Sequence, residues 1–139
     1  MNETIDYTNW ARENFKKDIF AMEITGIEIE KALKGYALCK MEVTDKHYNA
    51  NNFVMGGAIY TLADFCFAVA SNCGCTDTVT VSLSSNIHYI KGAKAPLLIA
   101  ETTCIKDGKT TCIYNTTVKD NLNNEIARVT TTGFKTQRK

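Results

Sequence analysis

The stretch NNFVMGGAIYTLADFCFAVAS, residues 51–71, is the most apolar in the chain, and it holds a carboxylate, Asp64, and a glycine pair, Gly56-Gly57. If a helix begins at the pair, its first backbone N–H groups have no intrahelical partner, and the positive end of the helix dipole adds to them. Glycine lets a ligand approach such a backbone closely, so this end can hold a carbonyl oxygen as it gains negative charge. Asp64, eight residues on, is the kind of group that activates water or attacks a carbonyl carbon. Each feature also has a plainer explanation. The glycines suit a tight entry into a helix, and a buried Asp can be a strut bonded to a neighbouring loop. A carboxylate without a partner in an apolar segment has its pKa raised, and such groups concentrate at functional sites.

Other polar residues are weaker candidates. Asn49 and Asn52 lie in an aperiodic, Asn-rich stretch, where they can orient a substrate or shape the loop by Asx-turns. Ser82, Ser84 and Ser85 fall in a strand, but no G-x-S-x-G elbow is present to make a serine nucleophile. His47 and His88 are isolated, and a lone strand His such as His88 is more often a packing or surface residue. Six cysteines include Cys39, Cys66, Cys104 and Cys112 in apolar or alternating stretches, read as buried thiols, and Cys73-Gly74-Cys75. No paired CxxC accompanies them, so no metal site is expected.

The elements that must position these residues follow from pattern. The chain has 139 residues, 45% of them hydrophobic and 22% charged, which suits a single domain spanning 1–139. A net charge of +1 gives no general pull toward nucleic acid or an anionic membrane, and the basic end FKTQRK reads as a solvated tail. No apolar run reaches the roughly 18 residues of a membrane span, and the N-terminus lacks a signal-peptide pattern. The expected location is therefore the cytoplasm.

Residues 7–20 read as an amphipathic helix carrying Trp10, Ile19 and Phe20. Alternation on either side of Lys34-Gly35 predicts a hairpin, and residues 44–55 form a long loop. Ile59, Leu62, Ala63, Cys66, Phe67 and Ala70 then make a helical stripe. Phe65, Ala68 and Val69 make that helix apolar nearly all round, so protein should wrap it on most sides. Asp64 lies about 130° from the centre of the stripe. Four strands follow, broken by Asp107-Gly108 and by DNLNN. The sum is an α+β fold, one long helix with an antiparallel sheet of about six strands curled around it. A single helix covers one sheet face only and leaves edge strands open, so pairing with a second copy is expected.

The joint spacing of Asn49, Asn52, Met55, Gly56, Gly57 and Asp64 resembles the hotdog-fold acyl-CoA thioesterases, in particular the PaaI-like branch of phenylacetic acid degradation. The pattern there is N-x-x-G-x-x-H-G-G, with an acidic residue eight after the first glycine of the pair. SSNIHYIKGA, the KDGK turn and the ending EIARVTTTGFK are similar too, so the resemblance runs from about Gly26 onward. It implies a long central helix wrapped by a curved antiparallel sheet, in a homodimer or homotetramer with active sites at the subunit interface. It implies hydrolysis of a small or medium, or aromatic, acyl-CoA, with coenzyme A as part of the substrate and no cofactor. The Gly56 N–H is then the oxyanion donor, Asp64 from the partner subunit the general base or nucleophile, and Asn49 the residue that positions water or substrate. Gly57, Met55, Asn52, Ser82 and Lys91 are the implied substrate-binding residues, with Lys94 beside Lys91 for the phosphates of coenzyme A.

Two positions depart from the pattern: Met55 stands for the usual His and Asn52 for the usual loop Gly, although Asn tolerates the left-handed region better than most residues. Met55 keeps a second reading open, a non-catalytic acyl-CoA binder or sensor. Sensors on this fold usually carry a DNA-binding extension, and the short N-terminal helix offers no basic recognition helix. A dehydratase is the third reading, but that chemistry relies on a catalytic His where Met55 sits. Tyr60, Phe53 and Phe65 are compatible with an aromatic or medium aliphatic acyl group, or with plain core packing.

Overall fold

A computed structural model describes residues 4–138; residues 1–3 and Lys139, the last residue of the basic tail, lie outside the described residues. The chain runs through α1 (Thr8–Phe15), a π-helical turn (Phe20–Ile24), β1 (Ile27–Leu33), β2 (Tyr36–Glu42), a 3-10 turn (Asp45–His47) and α2 (Gly56–Asn72). It then continues through β3 (Thr78–Tyr89), β4 (Leu97–Asp107), β5 (Thr111–Asp120) and β6 (Glu125–Gln137). Among the described residues the strands form one six-stranded sheet in the order β1-β2-β4-β5-β6-β3, with every pairing antiparallel. The helix, hairpin, central helix and four final strands expected from the pattern are all present.

The core lies between α2 and the concave face of the sheet. Ile59, Leu62, Ala63, Cys66, Phe67, Val69 and Ala70 meet Cys39, Met41, Leu98, Ala100, Val118 and Val129, all buried. Each large side chain buried here stabilises the fold by roughly 1.5–3 kcal/mol. Two buried threonines in the middle of the sheet satisfy one another, Thr102 Oγ1 to Thr116 Oγ1 at 2.7 Å. Gly133 sits mid-strand in β6 because a Cβ there would meet Cys112 Sγ at 2.7 Å and the Phe67 ring at 3.0 Å. Its bare backbone is what lets α2 press against the sheet.

The N-terminal helix is shorter than the expected 7–20. It stops at Phe15, whose ring stands edge-on to Phe65 at 5.6 Å, and Asp18 N–H closes a turn onto Phe15 C=O. Residues 16–20 are all exposed, so no apolar stripe supports a further helical turn there. Ile19 and Phe20 therefore belong to the next segment and not to the face of α1. Phe65 is a core residue, which removes it as an acyl-contacting candidate. Of the four thiols expected in the core, Cys39, Cys66 and Cys112 are buried, while Cys104 is half-buried near the Gly35 turn.

The two sheet edges differ. On β1, Tyr7 N–H donates to Ala32 C=O, Thr8 Oγ1 accepts from Ala32 N–H, and Arg12 Nε donates to Ile29 C=O, so α1 and its leading residue seal that edge. On β3, the Asn72 side chain bridges the N–H and C=O of Thr80. Beyond that point, among the described residues, nothing outside the sheet bonds the β3 backbone from Ser82 to Tyr89. Val81, Ser82, Leu83 and Ser84 are exposed on both faces of the strand.

Candidate active site

The loop before α2 is a closed, well-bonded unit. His47, only 5% exposed, is its strut. Its Nδ1 accepts from Thr44 N–H at 3.0 Å, so the ring proton sits on Nε2, which donates to Thr25 C=O at 2.6 Å. His47 C=O accepts Met55 N–H at 2.8 Å, fixing the residue that precedes the helix. Between these anchors Tyr48 bridges Val54, and Asn49 Oδ1 accepts from Asn51 N–H (2.9 Å) and Phe53 N–H (3.2 Å). Asn52 adopts φ +64°, the left-handed conformation in which Asn replaces Gly at lowest cost.

In the sequence His47 stands isolated, with no second His or Cys pair beside it. The signal for its role was Thr44 three residues earlier, a capping-box spacing with His in place of the usual acid.

The loop delivers Met55 as the N-cap of α2 without a side-chain cap, and Met55 C=O accepts Ala58 N–H (3.0 Å) and Ile59 N–H (3.2 Å). Gly56 and Gly57 N–H have no partner among the described residues. These are the free donors at the positive end of a 17-residue helix. Tyr89, at the end of β3, lies over this turn, and its hydroxyl donates to Gly56 C=O at 3.0 Å. Beside the turn is an apolar cleft of about 420 Å³, lined among others by Phe20, Ile24, Thr25, His47, Met55 and Thr61. Lys94 places Nζ 4.5 Å from the centre of the Phe53 ring, close to Gly92, and Lys91 is exposed just after β3.

Asp64 is elsewhere. Eight residues of helix put it about 12 Å along the axis from Gly56. It lies on the face formed by Gly57, Tyr60, Thr61, Ala68 and Ser71, the one strip of α2 that is not buried. The carboxylate has no hydrogen bond or ion pair among the described residues, so the strut alternative has no partner to name. Burial raises its pKa above the ordinary Asp value, and the charge of Asp18 raises it further.

Strand β3 runs back along α2, from Thr80 beside Asn72 to Tyr89 beside Gly56. Ser82, exposed at a bulge opposite Gly133 and two residues from Thr80, therefore lies toward the C-terminal half of α2, away from its start. The chain thus gathers Gly56, Gly57, Met55 and the loop of Asn49 and Asn52 at one end of α2, and leaves Asp64 and Ser82 in another region. Asn49 spends its side-chain oxygen on the loop, and its Nδ2 has no partner among the described residues.

His88 is exposed on β3 opposite Arg128. Among the described residues no three of His, Cys, Asp and Glu come together in a metal-ligating group, and no helix is long and apolar enough to cross a membrane.

Comparison with known proteins bears on this arrangement. The sequence model of the thioesterase superfamily matches residues 51–127. A protein of Archaeoglobus fulgidus named as a presumed esterase is 35% identical over 106 residues, covering 76% of this chain and 68% of that protein. A Streptococcus mutans UA159 protein solved with acetyl CoA bound is 33% identical, with a TM-score of 0.75 over 81% of this chain and 90% of that one. The Escherichia coli PaaI protein from the phenylacetic acid degradation operon superposes with a TM-score of 0.83 over 93% of this chain and 95% of that one. At 22% identity it speaks for the fold alone.

Proposed function

Given that the chain belongs to the thioesterase superfamily, and is a thioester hydrolase on the hotdog fold, we propose that it hydrolyses an acyl-CoA with an apolar acyl group at a site shared between two copies. The observation that carries this is the separation within one chain. The carbonyl-binding end of α2 and the unpaired Asp64 are each formed, yet they lie too far apart to act on one thioester. Two copies related by a two-fold axis bring the Gly56 end of one against Asp64 of the other. The open β3 edge, from Ser82 to Tyr89, supports a joint at that side.

In the proposed reaction the thioester carbonyl oxygen accepts from Gly56 N–H. Asp64 of the second copy takes a proton from water as the water oxygen bonds to the carbonyl carbon. The tetrahedral oxyanion is held at the helix end, the C–S bond breaks, and the thiolate leaves and is protonated by solvent. Asp64 as a direct nucleophile gives the same products through an anhydride that water then opens. Ser82 accompanies Asp64, the Asn49 amide group orients water or substrate, and Asn52 shapes the loop. Met55 and Gly57 border the acyl cleft, whose lining favours an aliphatic or aromatic chain over a polar one. Lys91 and Lys94 lie on the side of the Gly56 end where the phosphates of coenzyme A would meet them. Water is the co-substrate, so the scheme calls for no resident cofactor.

Release of free thiol from a panel of acyl-CoA thioesters tests the proposal, with Asp64→Ala as control. Turnover by the wild type and none by the variant is the expected result; equal turnover by both ends the mechanism. Met55 favours a second reading, since an exposed thioether stands where the family has His. Tight acyl-CoA binding with no thiol release by the wild type would establish that reading.

A further inference from the structure

Tyr89 is half exposed, yet it is held against the start of α2. Its hydroxyl donates to Gly56 C=O at 3.0 Å, and a Cβ on Gly56 would meet the ring at 3.1 Å. The bonded carbonyl belongs to the same peptide unit as the Gly57 N–H, one of the two free donors. A hydrogen bond onto an amide oxygen draws electron density from nitrogen toward oxygen, which makes the N–H a stronger donor. The preceding peptide is loaded in the same way: Met55 C=O accepts from Ala58 and Ile59, and its N–H is that of Gly56. The first donor is thus polarised by the helix itself. The second carbonyl is reached, in addition, by a side chain from the sheet.

We propose that Tyr89 is a positioning residue for the carbonyl-binding end of α2, its hydroxyl fixing the Gly56–Gly57 peptide and strengthening Gly57 N–H as a second oxyanion donor beside Gly56 N–H. The inference rests on the thioesterase reading above. It explains why position 56 carries no side chain: a methyl there would push the ring, and with it the hydroxyl, off the carbonyl. At position 57 a Cβ would meet nothing within 4 Å, which leaves room for a carbonyl oxygen to reach that donor. Partial burial, with Tyr60 nearby, raises the Tyr89 pKa above that of an ordinary phenol, so the hydroxyl keeps the proton it donates.

The test is Tyr89→Phe, which keeps the ring against Gly56 and removes only the hydroxyl. Two measurements are made on the full chain. In an amide NMR spectrum without substrate, the Gly57 proton is expected to move upfield, while the core amides of α2 stay in place. In thiol-release kinetics kcat is expected to fall about three- to tenfold with KM changed less than about twofold, since the removed group only modulates a donor. An unmoved Gly57 proton, or a kcat equal to that of the wild type, overturns the inference. If the wild type releases no thiol from any acyl-CoA, the thioesterase reading and the catalytic half of this inference fail together. The Gly57 proton then decides the hydrogen-bond half alone.

Discussion

The Gly56 amide and the Asp64 carboxylate belong to one helix and lie about 12 Å apart along its axis, the amide at the helix start and the carboxylate two turns on along the exposed strip. An acyl thioester presents its carbonyl oxygen and its attackable carbon within one bond length. If both serve one thioester, as proposed, they act in trans, and trans action has a direct signature. Asp64→Ala and Gly56→Val chains, each alone, should lose at least about 100-fold in kcat. Mixed and re-associated, they should recover about a quarter of wild-type activity, because half the dimers are then mixed and each mixed dimer has one intact site. Absence of recovery in a mixture shown by mass spectrometry to contain mixed dimers would remove the shared site.

Asp64 should also cost stability. Its raised pKa means that the native state binds this proton more tightly than the unfolded chain, so stability falls as pH rises from 3.8 toward the raised native value. Above that window the full cost is present. Asp64→Asn is expected to melt on the order of 2 °C higher than wild type at neutral pH. The difference should vanish below 3.8. Calorimetry at a series of pH values reads both limbs, and a destabilised variant at neutral pH would contradict the unpaired state of the carboxylate.

Asp18 contributes to the same shift through its charge. A general base must be ionised to work, so in the proposed mechanism the acid limb of kcat/KM should follow Asp64. Removing the neighbouring charge in Asp18→Asn favours ionisation and should move that limb to lower pH, leaving the plateau unchanged. A limb that stays in place would separate Asp64 from the rate-controlling ionisation.

Leu83, 60% exposed in the open stretch of β3, would be covered by a second copy in the proposed assembly. Leu83→Asp puts a charge on that edge, a device that blocks strand pairing. The variant should sediment as a folded monomer and lose about 100-fold in activity, although Gly56 and Asp64 are both untouched. A monomer that retains full activity would dispose of the two-copy site.

Phe20, exposed to 61% at the cleft, supports no core packing, so its removal should spare the fold. Phe20→Ala is expected to lower kcat/KM for a medium-chain thioester about tenfold relative to acetyl-CoA. Equal losses on both substrates would place the acyl chain elsewhere.

Much of this was legible in the sequence because it depends on period and spacing. The stripe from Ile59 to Ala70, the two-residue alternation of β1 and β2, and the turn residues at Lys34-Gly35 and Asp107-Gly108 each answer to local rules. Asn52 was legible as a left-handed position from its residue type. The end of α1 was not, because Ile19 and Phe20 look like a helical stripe unless one knows that nothing covers them. His47 was only partly legible: Thr44 three residues earlier signals the cap, but its other partners, Thr25 C=O and Met55 N–H, are backbone groups that carry no residue-type signal. Tyr89 was invisible for the same reason, since its bond to Gly56 spans 33 positions.

The unequal edges of the sheet have one more consequence. A strand edge with free amides and carbonyls templates further strands, and a sheet open at both ends can stack without limit. Here α1 occupies one end, so joining through β3 uses up the only open edge of each copy among the described residues. In the proposed two-copy assembly, growth through this sheet would stop after a single addition. The eight residues of Thr8–Phe15 would act in this sense as a chain terminator: in the proposed assembly they leave one edge for pairing where a bare sheet would offer two.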